Sequence, residues 1–198
     1  MAGTGTEQNL NRPRETILEV ATKLFSESGY TGTTMREIAN AVGVLPGSLY
    51  AHIDGKESLL FEIVEDGIDR FLAAAGAVSA IGDPADRVRA AIKAHLGVVA
   101  ESPERTLVVF HQWRHLTGPS RARVLDKRKR YEDFFAALVR EGVEAGEFSP
   151  RLDQRIAVLS LLGSLNWAAE WFKPDGPAGP EDVGERLADA VLWGLLRD

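Results

Sequence analysis

Residues 33–60 constrain the fold more than any other stretch, because they hold two short amphipathic helix patterns joined by one glycine. Thr34 and Glu37 make a T-x-x-E capping box, in which each side chain binds a backbone N–H at the helix start. Gly43 ends this helix, since a left-handed turn is least costly for glycine. A proline opens the second helix, predicted over 46–53, where its missing N–H is not needed. The pattern predicts a helix-turn-helix, whose second helix enters the DNA major groove.

The same residues resemble the DNA-binding motif of tetracycline-repressor-type (TetR) regulators. The matching pieces are TT-x-R-x-IA-x-x-x-GV, then SLY-x-H, then a glycine–lysine pair before an apolar helix. The resemblance implies that Arg36 and residues 45–48 lie nearest the base edges, and that the other candidates contact phosphates. The predicted DNA-binding residues are Thr34, Arg36, Leu45, Pro46, Gly47, Ser48, Tyr50, His52 and Lys56.

The chemistry of these side chains fits the two roles. A phenol and an imidazole at Tyr50 and His52 suit phosphate oxygens, which position a protein without reading sequence. The alternative for Tyr50 is a half-buried core aromatic. Leu45 and the proline and glycine after it have no side-chain donor. Base readout is therefore expected from Arg36, Ser48, apolar contact with thymine methyls and DNA shape.

Composition and charge narrow the class of protein. The formal net charge is −6, so DNA contact depends on the local placement of side chains rather than on bulk charge. The chain has no cysteine, which excludes disulfides and cysteine-based zinc sites and fits a reducing cytoplasm. No apolar run approaches about twenty residues, and the N-terminus lacks an apolar secretion core. We therefore expect a cytoplasmic protein without a membrane span.

Apolar residues recur with helical spacing along the chain and no strand-like alternation is found, so the predicted fold class is all-α. About nine helices are expected, separated by proline- and glycine-bearing turns. The first is predicted over 13–28, with Gly29 as its stop, and a long helix over 56–80 links an N-terminal three-helix head to a larger helical body. The predicted domains are a flexible arm over 1–11, a helix-turn-helix DNA-binding domain over 12–56, and a ligand-binding and dimerisation domain over 57–198.

The body carries many aromatic residues with polar side chains between them. Aromatic walls with a few convergent polar groups suit a small-molecule pocket, and the alternative is plain core packing. The candidate ligand-binding residues are Phe110, Trp113, Arg114, Tyr131, Phe134, Phe135, Asn166, Trp167, Trp171 and Lys173.

The runs VVFHQW, YEDFFAALVREGVEAGEFSPRLD and NWAAEWFKPDGPAGPEDVG are similar to actinobacterial repressors of steroid-ring or fatty-acid breakdown. Those repressors respond to acyl-CoA thioesters. The resemblance implies that Arg114, Arg128 or Lys173 meets the phosphates of coenzyme A while the aromatic residues hold the acyl part. The rival ligands are uncharged hydrophobic drugs and aromatic compounds.

The last two helices carry apolar residues every four positions beside small residues, a pattern that allows close helix–helix approach. The TetR resemblance implies that these helices pair with their copies in a homodimer. The alternative is that the stripe is buried within one chain. The candidate interface residues are Ser160, Gly163, Val183, Leu187, Val191, Gly194 and Leu195.

One pattern suggests an enzyme. His111 and His115 have the spacing of a zinc-protease helix, but Gln112 stands where a general base is needed and no third ligand is evident. We predict no enzyme, no metal site and no cofactor. The favoured function is a homodimeric repressor that binds a palindromic double-stranded operator and is released by a small hydrophobic effector, with an acyl-CoA as one candidate. The alternative is a helical ligand-binding or scaffolding protein without operator binding.

Overall fold

The computed structural model describes the backbone of residues 4–80 and 82–195, and the side chains of residues 13–80 and 82–195. Within these ranges the chain is helical with no β-strand, which confirms the predicted all-α class. The helices are α1 Thr4–Gly32, α2 Met35–Val42, α3 Pro46–Leu49, α4 Lys56–Val78, α5 Pro84–Glu101, α6 Pro103–His111, a short 3-10 helix Trp113–His115, α7 Gly118–Glu144, α8 Gln154–Trp171 and α9 Pro180–Leu195.

Helix α1 differs from its prediction at its N-terminus. It begins at Thr4 rather than at Pro13, and Pro13 lies inside the helix. The glutamate, glutamine and leucine before the proline have good helix propensity, which offsets part of the cost of an interior proline. Residues 1–3 of the predicted arm lie outside the described residues, and the rest of the arm is the first part of α1. Gly29 has a φ of +73°, so the helix is interrupted at the predicted stop.

The head is formed by α1, α2 and α3. Thr34 caps α2 as predicted, since the Glu37 N–H donates to its hydroxyl at 3.2 Å and its own N–H donates to the Glu37 carboxylate at 2.7 Å. Helix α3 is shorter than predicted and ends at Leu49. A bond from the Ile53 N–H to the Leu49 carbonyl at 3.1 Å extends the turn, and the chain then changes direction at Gly55 to enter α4.

The body is built around α4 and α5. Helix α4 leaves the head and packs against α5, α6 and α7, while α5 packs against α9 on its other side. Gly67 in the middle of α4 is buried, and a Cβ there would collide with Val109 of α6. The glycine therefore permits the close approach of α4 and α6. Helix α6 also packs against α1, so the body touches the head on a second path. Among the described helices, none is long and apolar enough to span a membrane.

Candidate functional sites in the head and the body

The outer surface of the head consists of the turn between α2 and α3 and of α3 itself. Leu49 is completely buried and anchors α3 on the core. Its neighbours point outward: Leu45 is 77% exposed and Tyr50 is 57% exposed, so Tyr50 is not the half-buried core aromatic of the alternative reading. Large exposed apolar groups on a small helical head indicate a contact surface.

Most of the predicted DNA-binding residues are exposed. Thr34, Arg36, Leu45, Pro46, Gly47, Ser48 and Tyr50 are exposed, and His52 and Lys56 are half-buried. The Arg36 side chain forms no hydrogen bond or ion pair with any described residue, so it is free to meet a base or a phosphate. Thr34 is less free, because its hydroxyl donates to the Glu37 carboxylate at 2.8 Å. Bonds from Thr34 lower the pKa of Glu37.

Lys56 has a contact that the sequence did not suggest. Its Nζ donates to the carbonyls of Tyr30 and Thr33, both at 2.8 Å, and lies 4.2 Å from the centre of the Tyr30 ring. Two of the three ammonium N–H groups are therefore engaged within the chain. This geometry assigns Lys56 to holding the start of α4 against the end of α1, in addition to the predicted phosphate contact.

The body contains a cavity of about 260 Å³ between α4, α6, α7 and α8. Its apolar wall includes Phe71, Phe110 and Leu162. Arg128, Lys129, Glu132 and Asn166 contribute polar groups to the wall. This combination of aromatic and aliphatic surface with charged and amide groups suits a small amphipathic molecule.

Only part of the predicted ligand set reaches the cavity. Phe110, Tyr131 and Asn166 line it. Phe135 is completely buried and Phe134 packs on its ring at 5.2 Å, so both follow the core-packing alternative. The remaining candidates lie outside the cavity wall: Trp113, Arg114, Trp167, Trp171 and Lys173. Trp167 and Trp171 are 63% and 46% exposed, because the opposite side of α8 supplies its buried residues.

The predicted Tyr131 in the cavity wall is paired with the buried His95, which was not among the predicted site residues. The Nδ1 of His95 is 3.0 Å from the Tyr131 hydroxyl, and the His95 ring lies 4.7 Å from that of Phe71. Burial lowers the pKa of His95 to about 3, so the imidazole is neutral, and burial also raises the pKa of Tyr131. The available signal was the position of His95 among the apolar residues of α5.

Three arginines surround the ring of Trp113. The guanidinium carbons of Arg128, Arg114 and Arg121 lie 4.7, 5.4 and 5.6 Å from the ring centre. Arg128 also lines the cavity, so it connects this cluster to the cavity wall. We call Trp113, Arg114, Arg121 and Arg128 the Trp113 cluster. Lys173, the other basic candidate, is exposed and does not line the cavity.

Helix α8 presents an exposed stripe of large apolar and small residues. It consists of Ile156, Leu159, Ser160, Gly163, Trp167 and Trp171. On α9, Trp193 is 87% exposed, and a Cβ at Gly194 or at Gly163 would have no atom within 4 Å. Trp193 was not predicted.

The predicted stripe of α9 is divided between the outside and the inside of the chain. Val183, Leu187 and Val191 are half-buried and pack against the core, while Leu195 is 5% exposed. Leu195 therefore belongs to the interior of the chain, which corrects its assignment to the interface. Its neighbours on α9 that remain exposed are Gly194 and Trp193.

The two histidines that suggested a zinc site have separate partners. His111 Nε2 lies 2.6 Å from a carboxylate oxygen of Glu170, and His115 stacks on Tyr30 with 5.2 Å between ring centres. In the part of the chain that the structure describes, no group of three histidine, cysteine, aspartate or glutamate side chains could hold a metal ion.

Comparisons with known proteins agree with this architecture. Residues 17–63 match the family model of bacterial regulatory proteins of the tetR family, and residues 81–195 match the tetracyclin repressor-like C-terminal domain. The HTH-type transcriptional repressor KstR2 of Mycobacterium tuberculosis is 27% identical over 192 residues, or 96% of each chain.

Solved structures give the same result. The ketosteroid regulator KstR2 of Mycobacterium tuberculosis superposes with a TM-score of 0.88 at 25% identity, covering 93% of this chain and 95% of the other. PfmR, a TetR family regulator from Thermus thermophilus, gives 0.82 at 34% identity, with 91% and 99% covered. AibR, solved in complex with isovaleryl coenzyme A and operator DNA, gives 0.79 at 32% identity, with 93% and 98% covered.

Proposed function

The chain belongs to the TetR family of transcriptional regulators, and on this premise we propose that it is a homodimeric repressor released from a palindromic operator by an acyl-CoA thioester. The observation that carries the proposal is the exposed surface of α3, on which Leu45 and Tyr50 project from a helix anchored by the buried Leu49. A helix held in this way can enter a major groove.

The head supplies the two kinds of contact that operator binding needs. Arg36 and Ser48 are the exposed side chains able to hydrogen-bond with base edges, and Leu45 offers apolar contact to a thymine methyl. Tyr50 and His52 suit phosphate oxygens. Because the chain is acidic overall, these few contacts must be assisted by a second head, which a dimer provides.

Dimerisation is proposed on the exposed stripe of α8 together with Trp193 and Gly194 of α9. Tryptophans exposed by 63% and 87% are costly to leave in water, and the glycines leave room for a partner helix. In a two-fold dimer the two heads read half-sites one helical turn apart, about 34–36 Å.

The effector is proposed to bind in the cavity lined by Phe71, Phe110 and Arg128. Its apolar wall fits an acyl chain, and the three arginines of the Trp113 cluster, one of them in the wall, concentrate positive charge at one side of an acidic body. AibR, at 32% identity, binds isovaleryl coenzyme A, which supports a thioester as the effector class.

The test uses the full chain and a DNA duplex selected from a random-sequence library. Binding is followed by fluorescence anisotropy while octanoyl-CoA or octanoate is added. We expect selection of a palindrome, two chains per duplex, and release by the thioester at lower concentration than by the free acid. Failure to select any sequence would contradict the repressor, and equal potency of the acid would contradict the thioester.

A further inference from the structure

Most basic side chains of the body have a carboxylate partner. Arg87 contacts Glu141 at 2.6 Å, and Lys127 contacts Asp69 at 2.6 Å and Glu65 at 2.9 Å. Further ion pairs are made by Arg70, Arg89, Lys93, Arg105, Arg123, Lys129, Arg140 and Arg186.

The Trp113 cluster brings together three of the basic side chains that lack such a partner. None of its three guanidinium groups forms an ion pair with a carboxylate of the described residues, although the chain has 29 acidic side chains. Arg121 instead donates to the backbone carbonyl of Arg114 at 3.3 Å. Three like charges gathered on one indole ring repel one another, and a bound anion would relieve that repulsion.

Two further features of the cluster point to an anion. The pKa of Arg128 is lowered, mainly by burial and then by the neighbouring guanidinium of Arg114. Glu132 raises it and is the weakest of the three influences. The Nε1 of Trp113 is buried and has no hydrogen-bond partner among the described residues. A buried donor without an acceptor is costly, so the Trp113 ring has a reason to move when an acceptor binds beside it.

The number of guanidinium groups favours phosphate over carboxylate. One carboxylate is satisfied by a single bidentate arginine, whereas phosphate groups accept several forked contacts at once. The cluster shares Arg128 with the cavity wall, so a ligand with its apolar part in the cavity would place an attached phosphate group near Trp113.

The segment 112–117, which carries Trp113 and Arg114, is also bound to the end of α1 in the head and to the first turn of α4. The Tyr30 N–H donates to the Gln112 side chain at 2.9 Å, and the Thr117 N–H donates to Glu57 at 2.8 Å. Between these points His115 stacks on Tyr30. Tyr30 lies directly after the interruption of α1 at Gly29, where the chain turns toward α2.

We propose that the Trp113 cluster binds the phosphate-bearing end of the effector, and that occupying it shifts the head through the contacts of residues 112–117 with Tyr30 and Glu57. The inference rests on the proposed function and deepens it, because it assigns release to the phosphate end. The apolar part of the effector then contributes affinity, and the phosphate end contributes the change in head position.

Binding is tested by calorimetry without DNA, with coenzyme A and octanoate as separate probes. Arg121→Glu reverses a charge in the cluster, and Arg130→Glu is the matched control, since both arginines are exposed on α7 and neither has a carboxylate partner among the described residues. We expect the affinity for coenzyme A to fall about tenfold or more in Arg121→Glu alone, with octanoate affinity unchanged in both. Equal effects of the two variants on coenzyme A would overturn the site.

Transmission is tested with Gln112→Ala and Glu57→Ala combined, which remove the acceptors of the Tyr30 and Thr117 N–H groups, against Gln154→Ala as control. We expect the affinities of the double variant for octanoyl-CoA and for the operator to stay within about threefold of those of the original chain. Its release from the operator should need about tenfold more thioester. Release at the original concentration would refute transmission through this segment. Because the calorimetry needs no operator, a failure of operator binding contradicts the proposed function and leaves the test of the site intact.

Discussion

The head and the body expose their binding groups in opposite ways. The head has a small core and places its contact residues outward, with Leu45 at 77% and Tyr50 at 57% exposure and Arg36 without a partner among the described residues. The body places Phe71 and Phe110 in the wall of a cavity and pairs many of its basic side chains with carboxylates. The head therefore suits a large ligand met at its surface, and the body suits a small ligand enclosed between helices.

The largest effect on assembly is expected from a charge placed in the proposed dimer surface. Trp167→Glu would bury an unpaired charge in the seam at a cost of several kcal/mol, so the dimer should dissociate. Gln154→Glu adds the same charge at an exposed position of α8 outside the stripe and should leave the dimer intact. Light scattering measures the mass of each, and a dimeric Trp167→Glu variant would place the interface elsewhere.

The next largest effect separates the core of the head from its surface. Leu49→Ala removes a completely buried side chain and should reduce the free energy of unfolding by about 2–5 kcal/mol. Leu45→Ala truncates the same residue type four positions earlier, where it is exposed, and should change stability by less than about 0.5 kcal/mol. Urea unfolding and operator affinity check both, with operator binding expected to weaken in each variant. Equal stability losses would refute the assigned orientation of α3.

The contiguity of the head explains why it could be predicted. Its cap at Thr34, its turn at Gly43 and its anchor at Leu49 lie within sixteen consecutive residues, and local rules specify each of them. The cavity joins residues from four helices, so sequence patterns could suggest its aromatic members and not their arrangement. Phe135 and Trp167 carry similar signals in the sequence, yet one is completely buried and the other is 63% exposed.

The partners of the basic side chains could not be predicted from local sequence patterns either. The predicted phosphate contact Lys56 lies against the carbonyls of Tyr30 and Thr33, more than twenty residues earlier in the chain. Arg121 was not selected from the sequence, because only the packing of α7 against the 3-10 helix brings it to Trp113. Spacing along a helix indicates which face a residue occupies and does not indicate which helix covers that face.

A smaller effect concerns pH and belongs to the body. The pKa of His95 is lowered to about 3 in the folded chain, whereas an unfolded histidine titrates near its usual value of 6.5. The stabilising contribution of the neutral imidazole is therefore complete above the unfolded pKa and is lost as pH falls toward the folded one. Between about pH 7 and pH 5 the loss is about 2 kcal/mol.

Urea unfolding at the two pH values measures this loss. His95→Asn keeps an acceptor for the Tyr131 hydroxyl and does not titrate, so its stability should depend less on pH by about 2 kcal/mol over the same range. Identical pH dependence in the variant would show that His95 does not control it. His111→Asn is the control, because His111 is exposed and should leave most of the pH dependence in place.

The smallest effect distinguishes two residues of the head that carry the same prediction. Tyr50→Ala should weaken binding to all DNA sequences alike by about 1–2 kcal/mol and leave stability unchanged, because phosphate contacts carry no base information. Lys56→Ala should in addition reduce the free energy of unfolding by about 1–3 kcal/mol, through the loss of two charge-assisted hydrogen bonds. Fluorescence anisotropy measures the DNA affinity, and urea unfolding measures the free energy of unfolding. If Lys56→Ala leaves the free energy of unfolding unchanged, the two hydrogen bonds do not stabilise the fold and only the DNA contact remains as a role for Lys56.

The central claim is that two heads on one dimer read two half-sites of a palindrome. The most direct measurement is the affinity of the full chain for its selected operator and for the same duplex with about five base pairs inserted at its centre, which rotates one half-site by half a helical turn. We expect two chains on the original duplex and a fall in affinity to the non-specific level after the insertion. Unchanged affinity with one chain per duplex would contradict it.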